Sequence, residues 1–292
     1  MSDERARKVK DYLSNVVVKD NDLIQKAKND LTLNEQKLIN FMISLIKPGD
    51  KDFQTYKIKM LDFAKLTGID KRHIYREFKK IIESIESKAF WFENEQVIAR
   101  MHWVIKPKYI KEAGVIELKL DPDIKRYLIG LQGDFTKYEL YNILSLKSKY
   151  SVSLYELFKS YSFKSTFTIK TEELKENIGA DIPSYKYFGM FREKVLERSI
   201  NDINEYTDLD ISYQCLDQKK EVLANLQGHK VAYIRFIIKN KQLMDKFTLY
   251  QRETNRVCNN EQLSDQVPHQ ISLDIENETT ALFDDTTNQQ IN

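Results

Sequence analysis

Fifteen residues from Tyr56, YKIKMLDFAKLTGID, recur without a gap 111 positions later as FTIKTEELKENIGAD from Phe167. Ile58 matches Ile169, Phe63 matches Leu174, Gly68 matches Gly179, and Asp70 matches Asp181. Identities are few, yet the element types around the two segments also recur in one order. That combination marks a duplicated structural unit. At 292 residues the chain is long enough for each copy to bury its own core. With 8 Gly and 5 Pro, it has little material for a loop-rich sandwich or for Gly-rich phosphate cradles.

Periodicity gives the elements of each copy. In the first, Leu33, Leu38, Ile39, Phe41, Met42, Leu45 and Ile46 fall at helical spacing over 32–46. Thr32 and Glu35 form a capping box there, and Lys47-Pro48-Gly49 is the stop. Residues 53–60 alternate as a strand, and 61–66 form a short helix closed by Gly68 in a left-handed cap. Asp70 caps a longer helix to Ser87, with Ile74, Tyr75, Phe78, Ile81, Ile82 and Ile85 on one face. Over 89–120 the period becomes two, giving a β-ribbon that turns at Glu112-Ala113-Gly114. Trp91, Phe92 and Trp103 lie in this ribbon and are expected in the core or an interface.

In the second copy, 138–144 and 153–161 read as helices, 167–169 as a strand, and 171–178 as a short helix ended by Gly179. A long helix over 184–205 points Phe188, Phe191, Val195, Ser199 and Ile203 inward, and strands follow at 209–215 and 231–238.

A short helix, a turn, a longer helix and a β-ribbon make a winged helix-turn-helix. The predicted fold class is therefore α+β: two tandem winged-helix domains with β-ribbon wings. The expected boundaries are a flexible arm over 1–14, domains over 15–129 and 134–240, and a disordered acidic tail over 241–292. The tail carries a net charge of −5 and leaves +7 on residues 1–240, a balance that suits a polyanion partner. The longer helix of each module fits the major groove of double-stranded DNA. At 100° per residue, Arg72, His73, Arg76 and Lys80 lie opposite the apolar face of the first. On the second, Lys186, Tyr187, Glu193 and Lys194 point outward.

Charges opposite an apolar face are ordinarily just solvated. Over 70–80, however, five Lys/Arg face two acidic residues, where a helix start ordinarily favours acids. Glu193 is either an acceptor for cytosine N4 or an ordinary surface residue. Thr171 and the amides after it either cap their helix or hold a phosphate.

His73, His102, His229 and His269 are isolated, without metal-ligand spacing, and no P-loop is present. A non-enzyme without metal or cofactor is expected. No apolar run approaches a membrane span, so no membrane partner is expected. Cys215 and Cys258 lie far apart, which suits a reducing cytosol.

The stretches DLIQKAKNDLTLNEQKLINFMISLIKPGD, FQTYKIKMLDFAKLTGI and SYKYFGMFREKVLERSINDINEYTDLDISY resemble the iteron-binding replication initiators of theta-replicating plasmids. The resemblance covers roughly residues 15–240. LTLNEQKLI and the F-x-x-x-V-L…I-N-x-x-T-D-L-x-I run are its most specific parts.

It implies a protein that binds origin direct repeats as a monomer and represses its own gene as a homodimer on an operator inverted repeat. It also implies opening of the origin and partnership with the host initiator, the replicative helicase and chaperones. The family's base-reading positions fall on Tyr187, Glu193 and Lys194. Members often carry arginines there, so Tyr187 and Glu193 depart from the pattern. The family's dimer interface falls within 89–120. A winged-helix transcriptional repressor without a replication role is the alternative.

Overall fold

The computed structural model describes residues 12–28, 30–93, 97–111 and 113–241. Nearly all of the expected arm over 1–14 and of the expected disordered tail over 241–292 lies outside these residues.

The N-terminal elements are strand β1 (Val16–Asp20), helix α1 (Asn21–Lys26), strand β2 (Ala27–Lys28) and helix α2 (Leu33–Ile43). The capping box of α2 forms: Thr32 Oγ1 accepts from the Glu35 amide, and the Glu35 carboxylate accepts from the Thr32 amide. The helix ends at Ile43, three residues short of the predicted stop. Strand β3 (Tyr56–Lys59), helix α3 (Met60–Thr67) and helix α4 (Ile74–Ser87) follow, the last entered through a 3₁₀ turn at Lys71–His73. Phe63 and Phe78 meet edge to face at 5.2 Å and lock α3 onto α4.

The predicted ribbon over 89–120 is two hairpins. Strands β4 (Ala89–Glu93) and β5 (Ile98–His102) form a sheet with β2, while β6 (Val104–Ile110) and β7 (Val115–Leu120) form another with β3. The break is at Trp103, whose ring is buried and stacks on Phe90 at 4.6 Å. Alternation through Val97–Ile105 conceals this corner, because Trp103 and Val104 are both buried. A register shift between Ile105 and Lys108 accommodates Pro107, which has no amide to give to the ladder. Phe92 is buried as expected, but Trp91 is 57% exposed, on the outer face of β4.

Two further expectations are corrected. Residues 138–144 are not one helix: strand β8 (Phe135–Glu139) pairs with β1, and helix α5 spans Leu140–Ser145. Tyr138 and Thr136 are buried at alternate positions, which is strand periodicity. The long helix of the second module begins at Phe188, not 184, because Pro183–Tyr185 forms a separate 3₁₀ turn. We treat Phe188–Phe191, a π turn at Arg192–Leu196 and Glu197–Tyr206 as one helix, α8. The π turn rotates the inner face, so Leu196 and Ile200 are buried beside Val195 and Ser199.

Helix α6 (Lys149–Ser160), strand β9 (Thr166–Lys170) and helix α7 (Thr171–Asn177) precede α8, and strands β10 (Leu209–Leu216) and β11 (Tyr233–Asn240) follow it. The two modules repeat to the hydrogen bond. The sheets run β3-β7-β6 and β9-β11-β10. The amide of Ile69 donates to Ala64 O, and that of Ala180, 111 residues on, donates to Lys175 O. Gly68 and Gly179 occupy the left-handed position in these helix ends, at φ +76° and +67°. The first module differs by the β4–β5 hairpin inserted between its long helix and its wing.

Candidate nucleic-acid interface

In the first module, Ile74, Phe78, Ile81 and Ile85 are buried at i, i+4, i+7 and i+11, which turns the opposite side of α4 to solvent. Arg72 and His73 lie in the 3₁₀ turn before α4, while Arg76 and Lys80 lie on α4 itself; all four are exposed. The predicted quartet therefore spans a turn and two helical turns. Tyr75, expected on the apolar face, is 40% exposed and packs edge to face on Tyr109 of β6.

The cations are matched locally. Arg72 grips Asp70 through Nε and Nη2, the latter at 2.7 Å, and its amide donates to the same carboxylate. That side-chain bond, helped by the amide, holds the Asp70 carboxyl down at about 2. Asp70 thus caps the turn rather than α4. Glu77 lies 3.6 Å from Arg76 and 3.3 Å from Lys80.

In the second module, Phe191, Val195, Leu196, Ser199, Ile200 and Ile203 seat α8. A buried Phe or Ile contributes about 1.5–3 kcal/mol to holding such a helix in place. Lys186 and Tyr187 precede the first turn, with Tyr187 at the N-cap and 74% exposed. Glu193 is exposed within the π turn and pairs at 2.6 Å with half-buried Lys194; the lysine holds the carboxyl below its usual range. Arg198, which the helical-face reading passed over, is exposed one turn further on.

Thr171 is not an anion ligand. It is buried, is the first residue of α7 rather than its cap, and donates through Oγ1 to Val231 O at 3.0 Å.

The wings add cations that helical-face reasoning missed. Lys106, Lys108 and Lys111 are exposed along and beyond β6. Between β10 and β11, residues 217–232 carry exposed Lys219, Lys220, His229 and Lys230. The Asp217 carboxylate accepts from the amides of Lys219 and Glu221 and shapes this loop. Charge in a turn has no period, so only the recurrence of lysine signals it. Among the described residues, no three His, Cys, Asp or Glu side chains gather as a metal site, and no helix is long and apolar enough to cross a membrane.

Two exposed helices, each followed by a lysine-bearing hairpin, define a protein of two tandem winged-helix modules. Residues 16–159 match the initiator replication protein family's first winged-helix domain, and residues 170–238 match its second. The chain belongs to this family of replication initiators. It is 22% identical over 170 residues to an uncharacterized 27.6 kDa protein of Escherichia coli, covering 57% of this chain and 71% of that protein. It shares its fold with the Pi initiator protein, solved in complex with iteron DNA, at a TM-score of 0.62 and 22% identity. That match covers 79% of this chain and 99% of the Pi chain.

Proposed function

We propose that this chain initiates plasmid replication by binding origin direct repeats as sequence-specific double-stranded DNA. On binding it opens the origin and recruits the host initiator and replicative helicase. As a homodimer in equilibrium with monomer it represses its own gene, and host chaperones shift that balance to monomer. Its action is non-covalent and cytoplasmic. The modules occupy residues 15–129 and 134–240, with Arg72, His73, Arg76 and Lys80 on one reading surface and Lys186, Tyr187, Glu193 and Lys194 on the other.

The observation that carries the reading is the duplication of one exposed helix-and-wing plan at a spacing of 111 residues. Two linked readers suit a site of about two helical turns. Membership in the initiator family supports the same reading, as does the fold shared with a protein crystallised on iteron DNA.

Titrating the chain against an origin-repeat duplex across a range of salt tests it. Two modules each neutralising several phosphates give a log K against log salt slope of about −5 to −9, at ~0.9 per phosphate. A slope shallower than about −2, or equal affinity for a scrambled duplex, overturns the proposal.

A further inference from the structure

We propose that the first turn of α8 reads thymine, by seating the 5-methyl group of the base against Tyr187 and Met190. The inference rests on the DNA-reading function above and names the chemistry that one part of that site selects.

Among the described residues, exposed large apolar side chains are thinly spread, yet Ile182, Tyr187 and Met190 fall within nine residues at the entrance to α8. Tyr187 is 74% and Met190 44% exposed, while Phe191 between them and the π turn is fully buried. Packing of α8 onto its module therefore does not account for them. Between Tyr187 and Met190 stands Gly189, where an added Cβ would meet no atom within 4 Å. Nothing inside the protein demands glycine there, and alanine would favour the helix. A bare backbone flanked by two apolar side chains suits close approach from outside.

Charge says what approaches. Along this stretch Lys186 and Arg198 are exposed, while Arg192 pairs with Glu197 at 3.5 Å and Lys194 with Glu193 at 2.6 Å, which leaves an excess of positive charge. An apolar spot inside a cationic surface calls for a polyanion with apolar features of its own. In the major groove of duplex DNA the thymine methyl is that feature. The residues nearest the N-terminus of a recognition helix are those that reach base edges. Met190 lies within about one turn of Glu193 and Lys194, so the apolar and polar reading groups follow one another along the N-terminal part of the helix.

A methyl-deletion cycle on the full chain tests this. The probe is a duplex enriched from a random pool by the chain itself, with each thymine replaced in turn by deoxyuridine, which lacks only the methyl. Wild type is expected to lose about fourfold in affinity at one or two positions, the worth of one buried methyl. There, Met190→Gln or Tyr187→Ala binds the thymine and uracil duplexes alike, while Met190→Leu retains the discrimination. Thermal midpoints close to wild type establish that these exposed variants fold. Sequence-preferred binding with no methyl effect, or a methyl effect intact in both Met190→Gln and Tyr187→Ala, overturns this inference alone. No sequence preference at all overturns the DNA-reading function and this inference with it.

Discussion

Each cation proposed to read DNA starts from a local partner or a solvated position, and this sets how it acts. The Arg72–Asp70, Arg76–Glu77, Lys80–Glu77 and Lys194–Glu193 pairs all lie at the surface, where such pairs contribute little. A phosphate or a base edge therefore displaces the carboxylate at small cost. Base readers and phosphate positioners separate by substitution. Lys194→Ala and Arg76→Ala are each expected to weaken binding to the specific repeat by ~1–3 kcal/mol and to change binding to random duplex little. Equal losses on both duplexes in an anisotropy titration demote the residue to phosphate contact. The outward face of α4 was readable from helical spacing, because Ile74, Phe78, Ile81 and Ile85 fix its inner side. The carboxylate partners were not: pairing with Glu77 or Asp70 depends on rotamers that sequence spacing leaves open.

The caps at Thr32, Gly68 and Gly179 and the duplicated strands were the features most openly written in the sequence, since each cap rests on local chemistry. Thr32 with Glu35, and glycines at 68 and 179, specify their backbone conformations within a few residues. What stayed hidden depends on distant partners. Strand β8 is a strand because β1 lies beside it, and the ribbon over 89–120 breaks at Trp103 because that ring packs on Phe90. The π turn in α8 inserts a residue that strict 100° spacing does not anticipate.

The capping residue Glu35 also ties α2 to the end of α4. It is almost fully buried, which alone would raise its pKa. Lys88 at 2.8 Å, Ser84 and the Thr32 amide outweigh burial and bring it below the usual value. A carboxyl depressed in the folded state stabilises above its unfolded pKa, and that contribution disappears as pH falls through the folded one. Glu35→Gln keeps the cap but loses the charge, and is expected to cost about 1.5–3 kcal/mol at pH 7. The gap between wild type and variant in urea unfolding narrows as pH drops below the ordinary glutamate range. A gap constant from pH 7 to pH 3 would show that the charge on Glu35 is immaterial.

At the scale of the molecule, residues 12–241 are not two beads on a string. Lys28 Nζ donates to Glu176 at 2.9 Å, and Tyr155 and Lys159 donate to Asp208 at 2.9 and 3.0 Å, which ties residues 16–159 to the second domain; within 16–159, strand β1 pairs with β8 and Lys37 Nζ donates to Leu144 O at 2.8 Å. There the buried ammonium of Lys19 meets Glu156 Oε1 at 2.7 Å, and the Tyr138 hydroxyl donates to the same oxygen at 2.6 Å. Removing one partner of a buried pair leaves the other charged and uncompensated, at a cost of about 3–5 kcal/mol. Replacing both by apolar groups of similar volume removes that penalty. Glu156→Leu is therefore expected to lower the urea midpoint steeply, and Lys19→Met combined with Glu156→Leu to recover most of the loss. Because the helix that carries Glu156 also reaches Asp208 of the second domain through Tyr155 and Lys159, the single variant should still unfold in one transition, with tryptophan fluorescence and far-ultraviolet circular dichroism coincident. Two separated transitions in wild type would show that the modules are energetically independent. A double variant no more stable than Glu156→Leu would show that the ion pair is not what Glu156 contributes.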